Sequence, residues 1–230
     1  AFRAGDREFI LVDTAGMRRR RAVDTQTEGV AAKMARDQLA RADVAALVID
    51  VQQGATAEDA RLASLIEESG RAAIIILNKT DAIPRATLDV RLTTTREALA
   101  FISYAPLLLT SASTGRGVAE IPKQAEAVFE QWSRRISTGD LNKRFEEIVD
   151  RRPPPAGKSG RHVRLYYATQ AGIRPPTFVV STNVPESVGQ PYRRYLANQL
   201  RETYGFAGSP LKLVLREHRK KKRKDMRELS

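Results

Sequence analysis

Three short stretches of this chain carry groups that could do chemistry, and each follows an apolar run of strand length. Phe9-Ile10-Leu11-Val12 leads into Asp13-Thr14-Ala15-Gly16-Met17. Ala73-Ile74-Ile75-Ile76-Leu77 leads into Asn78-Lys79-Thr80-Asp81, and Leu107-Leu108-Leu109 into Thr110-Ser111-Ala112-Ser113. One strand ending in an acid and a glycine is an ordinary turn. Three such ends in order point to a ligand, because open α/β sheets bind ligands beyond the carboxyl ends of their strands. A carboxylate there can accept two N–H groups at once, a charge-assisted two-point contact. That contact fits the Watson–Crick edge of guanine and is denied to adenine, which lacks the donor pair.

The three ends resemble the D-x-x-G, N-K-x-D and S-A elements of the P-loop GTPase family. The resemblance implies GTP or GDP as ligand, with Asp13 reaching a bound Mg²⁺ through a water and Gly16 giving its N–H to a phosphate oxygen. Thr14, Ala15 and Met17 belong to that same phosphate-side turn. It further implies that Asp81 selects guanine, Asn78 steadies loop and base, and the stem of Lys79 covers the base face. Thr80 completes that loop, and Ser111 and Ala112 offer backbone N–H groups to guanine O6. In many related GTPases a Gln follows D-x-x-G and orients the attacking water. Met17 stands there in this chain, and a thioether cannot do that work, so no catalytic residue is identified.

Composition narrows the class. The 230 residues suffice for one large or two small domains. Hydrophobic residues at 42% and charged residues at 29% suit a globular chain in water. The apolar runs reach about six residues, far below a membrane span, so no membrane partner is expected. Without cysteine there are no disulfides, no thiolate catalysis and no Cys-ligated zinc, which agrees with a cytoplasmic location. The chain opens Ala1-Phe2-Arg3 without a Met, which predicts an internal or truncated piece. Charge is unevenly placed. Residues 1–137 hold 19 basic and 18 acidic side chains, a net of +1; residues 138–230 hold 20 and 9, a net of +11. A nearly neutral first part suits a small ligand, and a strongly basic second part suits a polyanion.

Periodicity supplies the elements that must hold the three ends. Residues 27–42 predict a helix with Ala31, Met34, Ala35 and Ala42 on one stripe, and Val44–Asp50 predicts a fourth buried strand. Leu62, Leu65 and Ile66 predict a helix over 57–69, and Leu99 and Ile102 a helix over 94–102. Ile121, Ala125, Val128, Phe129, Trp132 and Ile136 form an amphipathic stripe whose aromatics belong to a core. Short strands alternating with helices predict a parallel, helix-covered α/β sheet. Between them Met17 is followed by four arginines, Arg18 to Arg21, which read either as a solvated loop or as a contact surface for phosphate, RNA or a neighbouring domain.

Thr138-Gly139-Asp140 reads as a break, with Asp140 capping a helix that carries Leu141, Phe145, Ile148 and Val149 and stops at Arg151-Arg152-Pro153-Pro154-Pro155. Strands over 163–169 and 177–182, a helix with Tyr192, Tyr195, Leu196 and Leu200 inward, and a strand over 211–215 complete an α-β-β-α-β order, a small α+β domain. Six basic residues at 219–224 open a tail, 219–230. The lone histidines His162 and His218 read as surface groups, and no Ser-His-acid set or metal-ligand cluster can be argued.

Beyond the G-type motifs, the chain resembles the C-terminal portion of the family of bacterial tandem GTPases called Der or EngA. The match is carried by D-T-A-G-M-R-R-R at 13–20, R-A-D-V at 41–44, N-K-T-D at 78–81, L-N-K-R-F at 141–145, Y-A-T-Q at 167–170, P-P-T-F at 175–178 and Y-R-R-Y-L-A-N-Q-L-R-E at 192–202. The resemblance implies a partial G domain at 1–137 and a KH-like domain at 138–218. It also implies an upstream G domain as neighbour, GTP hydrolysis in the complete protein, and a role on the large ribosomal subunit or its rRNA. An RNA- or ribosome-binding module without GTPase activity is the rival reading. No G-x-x-x-x-G-K-[ST] loop is present. Gly157-Lys158-Ser159 is a decoy, since Arg152 stands where the first Gly belongs, and the G-x-x-G pairs at 157–160 and 205–208 do not lie between two helices as a KH loop would. A parallel sheet without its phosphate-loop strand leaves two apolar edges open, so the first domain is expected to be the less stable of the two.

Overall fold

The computed structural model describes residues 1–12, 28–156 and 162–218, which group into two compact units. The first comprises 1–135 with the short stretches 172–176 and 204–211. Its centre is a parallel sheet in the order β3-β4-β5, where β3 is Val44–Asp50, β4 is Ala72–Asn78 and β5 is Leu107–Leu109. The register sets Asp50 opposite Asn78 and Leu77 opposite Leu109. The three strands therefore end level, and the loops that follow them emerge side by side. Parallel neighbours require long crossovers. Helices α2 (Ala57–Ser69) and α3 (Arg85–Ala98) supply them, with α1 (Glu28–Arg41) ahead of β3 and α4 (Glu120–Trp132) after β5.

β4 explains why the sequence reads as an unbroken apolar run. Its alternate side chains enter two different cores. Ala73, Ile75 and Leu77 join Leu47, Ile49, Ile66, Leu88, Leu99 and Ile102 on one side. On the other, Ala72, Ile74 and Ile76 meet Val128 and Trp132 of α4. Parallel strands covered on both faces lose the in-out alternation of a half-exposed sheet, and each fully buried Ile or Leu contributes about 1.5–3 kcal/mol. The Trp132 indole N–H donates to the Gly70 carbonyl at 2.8 Å, so the largest side chain of that core leaves no donor unpaired. α2 is capped at both ends. Thr56 Oγ1 accepts the Asp59 N–H at 3.2 Å, Asp59 accepts the Thr56 N–H at 3.0 Å, and Gly70 closes the helix in the left-handed region.

Four expectations are corrected. The apolar run from Phe9 to Val12 is not a strand throughout. β2 (Arg7–Phe9) ends at Phe9 and pairs antiparallel with β1 (Phe2–Ala4), the Phe2 and Phe9 rings stacking at 5.4 Å. Ile10, Leu11 and Val12 stand 79%, 78% and 42% exposed, because apolar side chains are buried only where a neighbouring element covers them. The Asp13–Met17 turn and the four arginines lie outside the described residues. α3 starts at Arg85, well before 94; only Leu88 and Thr95 along it are buried, too thin a stripe for periodicity to register. α4 ends at Trp132, so Ile136 is not part of it.

The second unit comprises 136–171, 177–203 and the chain from 212 on. Its order is α5 (Thr138–Arg151), β6 (Leu165–Gly172), β7 (Thr177–Thr182), α6 (Gln190–Tyr204) and β8 (Lys212–Glu217), with β7 at the centre of the sheet and parallel to β8. Here the fourth correction falls: Thr138, Gly139 and Asp140 form the first turn of α5 rather than a break. The cap is Ser137, whose Oγ accepts the Asp140 N–H at 3.3 Å. Leu141, Phe145 and Ile148 on α5 and Tyr192, Leu196 and Leu200 on α6 are buried, each set at helical spacing. Tyr192 and Tyr195 donate to the carbonyls of Arg152 and Ile148, tying α6 to the end of α5. No helix among the described residues is long and apolar enough to cross a membrane.

Candidate functional site

The site is assembled where β3, β4 and β5 end. Asn78 is the last residue of β4; Lys79 follows in the left-handed region at φ 67, and Thr80–Ala82 make a 3₁₀ turn. A left-handed non-glycine residue is uncommon, and such positions gather at functional sites. Thr80 fixes the turn from below: its N–H and its Oγ1 both donate to the Thr110 carbonyl, at 3.1 and 2.9 Å. Thr110 in turn donates its N–H to the Leu77 carbonyl at 2.8 Å. The loops after β4 and β5 are thereby stapled together. Asn78 completes the staple, its Oδ1 accepting from the Ala112 N–H at 3.0 Å and from Thr110 Oγ1 at 3.2 Å.

Asp81 stands on this platform with its carboxyl toward solvent, and Ser113 Oγ donates to Oδ2 at 2.9 Å. The hydroxyls of Ser111 and then Ser113 hold this carboxyl below the usual carboxylate range, so it is ionised at neutral pH. Ser111 Oγ is itself placed, 3.0 Å from Ser113 Oγ and accepting Thr114 Oγ1 at 2.8 Å. The Ser111 N–H donates to the Arg116 carbonyl at 2.9 Å, closing the loop just before Gly117.

On the opposite flank, Lys79 Nζ lies 2.6 Å from Asp50 Oδ2, and the Gln52 N–H donates to Asp50 Oδ1 at 3.0 Å. That lysine lowers the Asp50 carboxyl, against a smaller opposing effect of burial. The stem of Lys79 is thus held between its left-handed backbone and a fixed anion.

The structure brings Asn78, Lys79, Thr80, Asp81, Ser111 and Ala112 into one constellation; Asp13, Thr14, Ala15, Gly16 and Met17 lie outside the described residues. Sequence reasoning passed over three contributors. Asp50 ends an apolar run as the other motif residues do, which was the available signal. Thr110 and Ser113 flank the S-A pair, and their hydroxyls carried no signal beyond that position. Among the described residues no group of three or more His, Asp or Glu side chains gathers as a metal cage. Mg²⁺ takes one or two carboxylates with phosphate oxygens and waters, and Asp13 is the residue of the right type for that.

A parallel sheet with N-K-T-D and T-S-A-S loops at its strand ends, followed by an α-β-β-α-β unit, defines a GTPase-type α/β domain joined to a KH-like domain. Residues 1–79 match the family described as 50S ribosome-binding GTPase, and residues 135–216 that described as KH-domain-like of EngA bacterial GTPase enzymes, C-terminal. Over 95% of its length the chain is similar to the Der (EngA) GTPases, and its second half matches the C-terminal domain model of that family. It is 43% identical to GTPase Der of Moorella thermoacetica over 221 residues, which is 95% of this chain and 50% of that protein. To GTPase Der of Pelotomaculum thermopropionicum it is 41% identical, again over 95% of this chain and 50% of the other. The counterpart in Synechococcus sp. strain CC9605 is 43% identical over 92% and 47%. The chain spans about half the length of these curated relatives.

Proposed function

We propose that this chain reads guanine nucleotide through Asn78, Lys79, Thr80, Asp81, Ser111 and Ala112, as part of a GTP-hydrolysing protein acting in assembly of the large ribosomal subunit. One observation carries the reading: an exposed, ionised carboxylate is oriented by the Ser113 hydroxyl, itself placed by Ser111, at the common mouth of three parallel strands. A carboxylate offers about four acceptor sites. The Ser113 hydroxyl uses one of them, so Asp81 retains capacity for the two N–H groups of guanine. Ser111 and Ala112 are the O6 donors of this reading; the Ser111 N–H is held by the Arg116 carbonyl and the Ala112 N–H by Asn78 Oδ1, so the contact to O6 shares or releases one of these bonds. Asp13 would hold Mg²⁺ through a water, with Thr14, Ala15, Gly16 and Met17 forming the phosphate-side switch; when bound, that ion neutralises charge on the phosphates. Residues 1–137 serve as the nucleotide domain, 138–218 as the domain that meets rRNA, and 219–230 as a basic tail. An upstream G domain and a cytoplasmic location complete the reading.

Titration with fluorescent GDP, using GTP and ADP as competitors, tests it. GTP should displace the probe and ADP should not. Asp81→Asn removes a charge-assisted contact of about 1.5–3 kcal/mol and weakens binding on the order of ten- to hundredfold. Equal competition by ADP, or native affinity in Asp81→Asn, would sink the guanine reading. The second reading, an RNA- or ribosome-binding module without nucleotide chemistry, has the net +11 of residues 138–230 behind it. RNA affinity indifferent to GDP favours that module.

A further inference from the structure

The turn after β3 is held at more points than an exposed connection needs. The N–H groups of Gln53 and Gly54 donate to the Asp50 carbonyl, and the Val51 N–H donates to the Asn78 carbonyl at the end of β4. From α3 the Arg91 guanidinium closes over the turn, donating to the Gln52 carbonyl at 3.0 Å and to the Gln53 carbonyl at 3.4 Å. Its approach needs a residue without a side chain beneath it: a Cβ on Gly54 would stand 2.9 Å from Arg91 Nη1. The Gln52 N–H points the other way, into Asp50 Oδ1, and Asp50 Oδ2 takes Lys79 Nζ. An unbroken line of contacts therefore runs from α3 through this turn to the lysine of the N-K-T-D loop. It ends on a side chain that is 53% exposed, which water alone would leave free to change rotamer, whereas the anion that receives it is only 20% exposed.

We propose that Asp50 and Arg91 are positioning residues of the guanine site, which fix the side chain of Lys79 before a nucleotide arrives. The proposal rests on the reading of Asn78–Asp81 as the guanine loop. A lysine carries its charge on a flexible stem, and ordering such a side chain at the moment of binding costs affinity. Here the carboxylate that receives Nζ is set by the Gln52 N–H, and the turn carrying that N–H is set by Arg91. The ammonium is committed to Asp50, so the aliphatic stem is what Lys79 has left to lay on a base. A stem on the face of a base is indifferent to the groups on its edge, whereas Asp81 reads the edge. Asp50 and Arg91 therefore set how tightly any 6-oxopurine is held, and Asp81 sets which one.

Titration of the whole chain with GDP and with inosine diphosphate separates these roles, because hypoxanthine keeps the N1–H of guanine and lacks its 2-amino group. Asp50→Asn keeps an acceptor for the Gln52 N–H and removes only the charge, so the turn stays closed. It should weaken both nucleotides alike, on the order of two- to tenfold, the effect of one long side chain left for the ligand to order. Arg91→Ala should act in the same direction by about twofold. Asp81→Asn should instead narrow the preference for GDP over inosine diphosphate. In a Lys79→Met background, which keeps an apolar stem and has no ammonium to anchor, adding Asp50→Asn should change neither affinity. Urea midpoints check that each variant is folded; should Arg91→Ala lose its fold, Arg91→Lys, a point charge where two carbonyls must be spanned, takes its place. If the native chain binds no GDP, the guanine reading fails and the proposal with it. If the native chain prefers GDP to ADP but Asp50→Asn binds as tightly, shifts the ratio between the two nucleotides, or keeps its full effect on Lys79→Met, Lys79 is ordered by other means and the proposal alone is overturned.

Discussion

Two glycines in the loop after β5 have nearly the same backbone and very different surroundings, and together they test how the site is built. Gly115 has φ +77 with open space where a Cβ would stand; Gly117 has φ +74 with the Leu109 carbonyl oxygen 2.3 Å from that point. Alanine at either position must adopt the left-handed region, at about 1–2 kcal/mol. At Gly117 the new methyl also lies about 1 Å inside an ordinary carbon–oxygen contact. The group it strikes is backbone at the end of β5, where Thr110 donates to Leu77 and accepts from Thr80. Relief means moving a strand end that three hydrogen bonds pin, so Gly117→Ala should cost about 2–4 kcal/mol in all. With a slope of about 2 kcal/mol per molar urea, that is a midpoint shift of about 1–2 M for Gly117→Ala and about half that or less for Gly115→Ala. The same displacement drags Thr110 and Ala112 from Asn78 Oδ1, so GDP affinity should fall on the order of tenfold in the first variant and little in the second. Urea unfolding and GDP titration of both variants decide it. Equal midpoints would show that the close approach is relaxed without consequence and that the staple between the two loops does not carry the site.

Two further expectations follow from the same geometry. Asp81 and Asp50 both have carboxyls lowered in the folded chain, so their contributions are fully present above the unfolded value and vanish only as pH falls through the lowered folded one. The site should therefore hold from neutral pH down to about 4; an Asp81 midpoint at or above the ordinary value in a carboxyl-carbon NMR titration would contradict this, as would no rise in Ser111→Ala. Trp132→Phe removes the donor to the Gly70 carbonyl and leaves a void between α4 and β4, which should cost about 2–3 kcal/mol in urea unfolding; a shift under about 0.5 kcal/mol would mean the carbonyl finds another partner.

The sequence was most legible where burial is two-sided. β4 announces itself as an apolar run because cores cover both its faces, whereas β3 buries Ala45, Leu47 and Ile49 on one side and leaves Val48 exposed, and α2 is legible through its stripe and its Thr56 cap. It misled where apolarity and burial part company: Ile10 and Leu11 read as core yet stand exposed, since composition cannot say whether a strand has a neighbour. α3 was half missed for the converse reason, a helix on the sheet that needs little more than Leu88 facing inward. At α5 the residue type was right and the position wrong. Asp140 is a good cap residue, but Ser137 three places earlier takes that role and leaves Asp140 at the third helical position, where a carboxylate also suits the helix dipole. In the site, the motif letters named the residues brought together at the strand ends but not Thr110, Ser113 and Asp50, which hold them.

Those supporting groups stiffen a constellation built on loops, as the proposed discrimination between bases requires. Hydrogen bonds among exposed hydroxyls are each worth little in water, about 0.5–1.5 kcal/mol. Here the buried Thr110 hydroxyl and the Ala112 N–H both reach Asn78 Oδ1 and the Ser113 hydroxyl reaches Asp81 Oδ2, all from the loop after β5. The staple is anchored in turn to strand ends whose register is set by cores on both faces of β4. Ordering of the carboxylate is thus settled when the sheet folds rather than when a base arrives, and the ordering entropy is not charged against binding.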